Sequence, residues 1–263
     1  MRNHNITKNE IAIVVLSFDG FKELWQPFFD FFFKSWPDCP YNIYLLNNYI
    51  KFNDKRVNNL LVNEDISWGN SLSKGLEKIS EKRVFFLYDD CFIYKINKEK
   101  LKNFFQNSID NNIISLQIRP SYFISKFGNN EPTLIPKKAL YRNALFCNLI
   151  MREHLLLLIN TTDSAWDFEL KGNIRSHDYD YYSIRRSCIN YHHGIVKGKW
   201  FLLVYKKLIS KGYKFEKLDT VMSNFDTIKL KLRTIIHDYY TYIFPLSIVL
   251  FIENKRKGNI YKK

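Results

Sequence analysis

Residues 83–90 read Arg-Val-Phe-Phe-Leu-Tyr-Asp-Asp (RVFFLYDD), an apolar run that stops on two adjacent carboxylates. A run with no polar face left for water predicts a strand covered on both sides. Residues 11–16 (IAIVVL) have the same character and break at Ser17-Phe18-Asp19-Gly20. Between the two, residues 21–36 carry apolar side chains at helical spacing up to Pro37, with Pro27 predicted to kink or restart the helix. Residues 42–46 (NIYLL) predict a second strand running into Asn47-Asn48, residues 57–62 a third, and residues 71–80 a short helix. This alternation predicts an α/β fold, a mostly parallel sheet with helices on both faces. Ligands of such sheets sit outside the carboxyl ends of the strands. Residues 17–19, 65–70 and 89–90 then meet on one edge.

The second half is less regular. Residues 112–118 predict a further strand, 121–138 a loop and hairpin, and the segment 147–160 contains an apolar helix that includes 155–159. A polar stretch over 161–182 holds Trp166-Asp167-Phe168-Glu169. Tyr191-His192-His193-Gly194, a short strand at 195–196, Lys197-Gly198-Lys199 and a helix over 200–210 follow. Residues 227–263 predict one or two helices with basic ends. No repeat or low-complexity segment is evident. A main unit over 1–224 and a basic, apolar helical extension over 225–263 are expected.

Composition narrows the classes. With 263 residues, 46% hydrophobic and 17% aromatic, the chain has ample surface to bury, which excludes disorder throughout. Nine Gly and seven Pro exclude collagen-like chains. The four cysteines show neither CxxC nor zinc spacing and read as reduced thiols of a cytoplasmic protein. Residues 1–10 are polar and 11–16 too short for a secretory signal core, so no leader is expected. The apolar run 239–252 contains Pro245 and falls short of the ~20 residues of a spanning helix. A formal charge of +14 favours an anionic partner: a phosphorylated small molecule, nucleic acid or an anionic membrane face. Part of that Lys- and Asn-rich bias is also what an AT-rich genome produces.

Each candidate group has two readings. Asp89-Asp90 at a strand end either form a solvated turn or share a hard cation such as Mg²⁺ or Mn²⁺ with phosphate oxygens. Asp167 and Glu169 either open a helix, where acids complement the dipole, or supply a partly desolvated general base. His193, or His192, is either a surface histidine or a metal ligand, with Lys197 and Lys199 as phosphate contacts or solvated side chains. In Asp65-Ile66-Ser67-Trp68-Gly69-Asn70-Ser71, Ser67 or Asn70 can cap a helix whose free N–H groups attract an anion, and Trp68 can stack on a flat group. Neither a GxxxxGK[ST] nor a GxGxxG pattern is present. Asp163 with Glu169-Leu170-Lys171 matches the acid-and-ExK set of many nucleases, although those acids sit on paired strands.

The order of these segments resembles GT-A (Rossmann-like) glycosyltransferases, in particular bacterial enzymes of capsule, lipopolysaccharide or O-antigen synthesis. The segments are IAIVVLSFDGFKELW, FKSWPDCPYNIYLLNN, DISWGNSLSKGLEKI, VFFLYDDCFI, SAWDFELKGNIRS and GIVKGKW, spanning residues 11 to about 205. The resemblance implies transfer of a sugar from a nucleotide donor, a UDP-sugar above others, to a glycan or lipid-linked acceptor, and no nucleic acid partner. It implies a divalent cation, Mn²⁺ or Mg²⁺, on Asp90 with Asp89 and His193. Cys91 stands where many relatives keep an acid. It further implies Glu169 as the base of an inverting displacement and Asp167 in the acceptor site. Ser17, Asp19, Asp65, Trp68 and Asn70 are implied around the nucleoside, with Asp89 near the ribose. Lys229, Lys231 and Arg233 before the last apolar run and Lys255-Arg256-Lys257 after it suit contact with anionic lipid at the inner membrane face. Two rival expectations are the metal-dependent nuclease and a non-catalytic basic adaptor acting through the tail.

Overall fold

A computed structural model describes residues 10–119, 131–137, 139, 141–196, 198–217 and 220–230, with 232, 236, 244, 248 and 251 beyond. Strands β1 (Ile11–Leu16), β2 (Asn42–Asn47), β3 (Val57–Leu61) and β4 (Arg83–Tyr88) lie in the order β3-β2-β1-β4, all parallel. After β4 the chain turns at Asp89-Asp90 into β5 (Cys91–Ile96), which leaves the main sheet. The sheet continues through β6 (Ser115–Gln117), β7 (Thr133–Leu134), β8 (Asn148–Met151) and β9 (Tyr181–Ser183), giving β3-β2-β1-β4-β8-β6-β9-β7. β8 runs antiparallel to β4 and to β6, so β6 and β9 point the same way as β4. The carboxyl ends of β1, β4 and β6 therefore share an edge. β5 pairs antiparallel with β10 (Ile189–His193), and β11 (Ile195–Val196) with β12 (Lys199–Trp200).

Both faces of the first strands are covered, as their unbroken apolar runs require. Ile11, Ile13 and Val15 of β1 pack into one core with Phe28, Phe29, Phe32 and Trp36, and Ala12 and Val14 into another with Leu72, Leu76 and Phe168. At about 1.5–3 kcal/mol per buried large apolar side chain, covering both faces is the main stabilising contribution. The first face carries α1 (Lys22–Ser35), entered through a 3₁₀ turn, Asp19–Phe21. The second carries α2 (Trp68–Glu77), α4 (Arg152–Leu158) and α5 (Ala165–Arg175), whose buried side chains join that core. α3 (Lys98–Asp110) buries Leu101, Phe104 and Phe105 in the first core, and α6 (Leu202–Ile209) adds Val204 and Leu208.

Several expectations are corrected. α1 continues through Pro27. α2 begins three residues earlier than expected because Ser67 caps it, its hydroxyl accepting from the Asn70 N–H at 3.0 Å. The segment 147–160 contains the expected apolar helix, α4, and residues 148–151 ahead of it are strand β8, paired with β4 and β6. As one of the two readings expects, the polar stretch over 161–182 holds a helix, α5, with Asp167 in its first turn. Trp200 belongs to β12 rather than to the helix after it. The middle of the expected loop at 121–138 and most of 225–263 lie outside the described residues, although 224–230 are helical. All four cysteines are free. Among the described residues no helix is long and apolar enough to cross a membrane.

Candidate active site

The carboxyl edge is organised around the end of β4. Ser17, one residue past β1, donates its hydroxyl to Asp89 and accepts the Trp25 indole N–H at 2.6 Å. Asp89 is buried, and burial pushes its carboxyl well above the usual carboxylate range against the pull of the Ser17 hydrogen bond. Asp89 is thus drawn inward, tying β4 to β1 and α1, while Asp90 stays partly exposed.

Asp90 meets His193 through strand pairing. β10 lies against β5 so that His193 stands opposite Cys91, and the Gly194 N–H donates to the Asp90 carbonyl at 2.6 Å. A Cβ on Gly194 would stand 2.4 Å from the Phe92 ring, so this approach requires glycine. The Cys91 thiol donates to Asp90 Oδ1 at 3.4 Å and lies 3.5 Å from His193 Nδ1. Burial raises the Asp90 pKa, whereas desolvation and the positive charge of Arg119 lower that of His193 and favour its neutral ring. His192 points to the other face of β10 and stacks on Tyr94 with centroids 4.3 Å apart. Lys199 is exposed on the following hairpin; Lys197 lies outside the described residues.

A cavity of about 160 Å³ opens where β1, β2 and β3 end, lined in part by Ser17, Phe18, Asn48, Asp65 and Trp68. The Asp65 carboxylate accepts from the Ser71 hydroxyl at 3.2 Å through Oδ1. Trp68 packs on Phe168 of α5 with centroids 5.4 Å apart. Asn70 Oδ1 is buried with no hydrogen-bond partner. Asp19 is differently engaged: its carboxylate accepts the backbone N–H groups of Asn48, Tyr49 and Ile50 and the Asn47 side chain at 3.1–3.3 Å. It holds the loop after β2 and is spent there.

The acids of α5 divide by helical face. Phe168 is buried, and Gly172 lets the helix approach Asn143, where a Cβ would stand 2.2 Å from its amide nitrogen. Glu169 lies beside this buried face; burial raises its pKa, and Arg119 pulls it back. Glu169 in turn raises the pKa of Tyr88 at the end of β4, so it reaches the site edge. Asp167 points the other way. It completes a capping box with Ser164 and pairs with Lys171 at 2.8 Å, contacts that bring its pKa down to about 2. Of the two readings of Asp167, the structure shows the helix cap. The nuclease set is dispersed by the same geometry: Asp163 pairs with Arg175, Lys171 with Asp167, and Glu169 sits on a helix rather than on paired strands.

Sequence reasoning missed Arg119, Tyr88 and Tyr191. Arg119 follows β6 on the carboxyl edge, hydrogen-bonds Tyr191 and lies 5.9 Å over the Phe146 ring. The edge rule that found Asp89-Asp90 would have found it, had the direction of β6 been known.

The topology is shared with solved structures. S. aureus TarS 1–349 in complex with UDP superposes with a TM-score of 0.51 at 11% identity over 72% of this chain and 61% of that one. The fold is of the GT-A type. At that identity the likeness shows the fold alone. S. aureus TarS 1–349 in a second crystal structure (TM-score 0.49, 12% identity, 68% of this chain and 59% of that one) and HddC from Yersinia pseudotuberculosis (0.48, 10%, 76% and 99%) align more loosely. The chain thus spans about three fifths of the length of TarS 1–349. No protein-family model and no curated protein matches the sequence.

Proposed function

We propose that this GT-A-type chain is a glycosyltransferase using a nucleotide-diphosphate sugar, a UDP-sugar above others, and a glycan or lipid-linked acceptor of surface polysaccharide. The reading is carried by the convergence, on one sheet edge, of the cavity beside Ser17 and Trp68, the Asp90–Cys91–His193 cluster and the Arg119-facing Glu169. TarS is solved with UDP and with UDP-GlcNAc, which supports the donor class.

In this reading the nucleoside enters the cavity, where Trp68 offers a flat face and Asp65 a hydrogen-bond acceptor. Asn70, with its unpartnered oxygen, and Lys199 are further donor contacts. Ser17 and Asp89 fix the floor, and Asp19 shapes the loop beside it. Asp90 and His193 offer one oxygen and one nitrogen donor around Cys91, a set that suits Mn²⁺ or Mg²⁺ when diphosphate oxygens complete the coordination. Among the described residues no group of three His, Cys, Asp or Glu side chains could hold a metal ion, so the expected set of Asp90, Asp89 and His193 is not assembled, and the proposal keeps Asp90 and His193 alone. The cation, when bound, offsets charge on the departing diphosphate. Glu169 takes the proton of the acceptor hydroxyl as that hydroxyl attacks the sugar carbon from the far face. The new bond forms as the diphosphate leaves, in one inverting displacement that needs no protein nucleophile.

The extension supports a membrane-side acceptor. Phe225, Ile228, Leu232 and Ile236 are exposed at helical spacing beside Lys229, the arrangement of an interfacial helix. Contact with an anionic membrane is part of this proposal.

The test is a thermal-shift panel of UDP-, GDP-, CMP- and dTDP-sugars with and without Mn²⁺. A ligand at 100 times its Kd adds about 2.7 kcal/mol of stability. A Mn²⁺-dependent shift with one nucleotide class is expected; a folded protein that shifts with none overturns the reading.

A further inference from the structure

A second cavity, of about 510 Å³, opens on the opposite edge of the sheet from Asp90. Asn107 of α3 lines it, with Asn111 and Asn112 in the turn toward β6, Glu131 ahead of β7, and Asp180 and Tyr182 at the start of β9. β6 and β9 run the same way as β4, so residues that precede them lie at the amino edge, whereas Asp90 follows its strand. Small-ligand pockets are about 300–1,000 Å³, and this cavity falls within that range. None of its lining residues takes part in sugar transfer as proposed.

The turn between α3 and β6 brings amides to the cavity. Asn111 ends α3, its side-chain N–H donating back to the Asn107 carbonyl at 3.0 Å. Asn112 has φ +49°; its N–H donates to the Ile109 carbonyl at 3.1 Å, and the Ile113 N–H donates to the Ser108 carbonyl at 2.9 Å. This is the left-handed helix ending that glycine fills most readily and asparagine next. With asparagine there, the turn carries a side-chain amide into the cavity lining that glycine would lack. Among the described residues, nothing hydrogen-bonds the side-chain amides of Asn107 and Asn112.

The chemistry of the lining selects the ligand class. Amides both donate and accept, and carboxylates only accept. Among the described residues that line the cavity none is Lys, Arg or His; Lys137 pairs with Asp180 at 2.7 Å from outside the lining. A phosphate group would meet Glu131 and Asp180 without a lining cation to hold it, although the chain carries a formal charge of +14. Among the described residues no three His, Cys, Asp or Glu could hold a metal ion, so a bare cation does not fit either. An apolar ligand would leave the amides and carboxylates unpaired. A neutral sugar satisfies them. Its hydroxyls donate to the carboxylates and exchange hydrogen bonds with the amides, and the C–H face of its ring packs on the Tyr182 ring.

We infer that this amino-edge cavity is a second carbohydrate site, one that takes about one or two neutral sugar units between the Asn107–Asn111–Asn112 amides and Tyr182. The site goes beyond the donor cleft and binds sugar whatever the protein transfers. Only its use rests on the transferase reading: a glycan held at this edge keeps its other end near the cleft at high effective concentration.

The experiment titrates the ¹⁵N-labelled full chain with maltotriose, cellotriose and chitotriose and follows its amide signals by NMR. At least one trisaccharide is expected to shift the signals of residues 111–115 and 180–182 saturably, with the side-chain amides of Asn107 and Asn112 among them. Asn112→Gly suits the positive φ and Asn107→Ala suits the helix, so both variants are expected to fold. Each is expected to weaken binding about threefold to tenfold, as the loss of one or two hydrogen bonds implies. Inorganic phosphate and Ca²⁺, each alone, are expected to leave these signals in place. Three results overturn the inference: no shift with any of the trisaccharides, undiminished binding in both variants, or the same signals moved by phosphate or Ca²⁺. The thermal-shift panel separates this from the transferase reading. A nucleotide-sugar shift without trisaccharide binding overturns the second site alone. Trisaccharide binding at these residues without any nucleotide-sugar shift keeps the site and overturns the transferase reading alone.

Discussion

The Ser17 hydroxyl donates to the Asp89 carboxylate while it accepts the Trp25 indole N–H at 2.6 Å, so three elements meet on one oxygen. β1 supplies Ser17, α1 supplies Trp25, and the β4–β5 turn supplies Asp89. This contact makes one acid of the adjacent pair a structural anchor, and Asp90 has no part in it. Ser17→Ala orphans both the Trp25 N–H and the buried Asp89. A buried polar group left without its partner costs about 1–3 kcal/mol. Urea denaturation is expected to show a loss of that size with an unchanged m-value. A loss below about 0.5 kcal/mol would mean that the relay is not what holds the Asp89 turn.

The two acids of α5 are expected to behave oppositely. Glu169→Gln removes the proposed base and is expected to lower kcat by about 10²–10⁴ with donor binding intact. Asp167→Ala removes half of a capping box and an exposed ion pair. It is expected to leave kcat within about threefold and to cost about 1 kcal/mol of stability. Steady-state kinetics beside thermal unfolding separate the two. Equal losses of turnover would return Asp167 to the acceptor site. The sign of the pH dependence follows from burial: Glu169 has a raised pKa and acts as its anion, so turnover falls as pH drops through that raised value.

The tail is expected to bind charge before chemistry. Phe225, Ile228, Leu232 and Ile236 are 71%, 56%, 53% and 62% exposed, three or four residues apart, so they form one stripe on a helix. Sedimentation with phosphatidylglycerol vesicles is expected to pull down the full chain at low salt, phosphatidylcholine vesicles much less, and added salt is expected to weaken the binding. Removing residues 225–263 is expected to abolish the effect and leave soluble-acceptor turnover in place. Undiminished vesicle binding after that deletion would place the membrane contact elsewhere.

Part of this site is legible in the amino-acid order alone. The unbroken runs at 11–16 and 83–88 announce strands covered on both faces, and the polar residues at their ends mark the edge where ligands bind. Glu169 is found through its aromatic neighbour, yet the same pattern nominates Asp167, because sequence spacing does not say which side of a helix is buried. The sequence shows the helix around 155–159 but gives no assignment to residues 148–151, because short apolar runs of either kind look alike. Their strand character comes from a gap between β4 and β6 that only the sheet reveals.

The sequence by itself determined the layers, the polar carboxyl edge of the sheet and the residue types available there, since these follow from local periodicity and from where apolar runs stop. Only the tertiary structure decided which of those residues work together. Strand β10 pairs with β5 across about a hundred residues of chain and sets His193 against Cys91 rather than His192. The direction of β6 carries Arg119 to the same edge, and the inward hydrogen bond from Ser17 separates Asp89 from Asp90. Each of these depends on non-local pairing, whose partners are chosen by burial and hydrogen bonding across the whole fold and leave no signature in neighbouring residues.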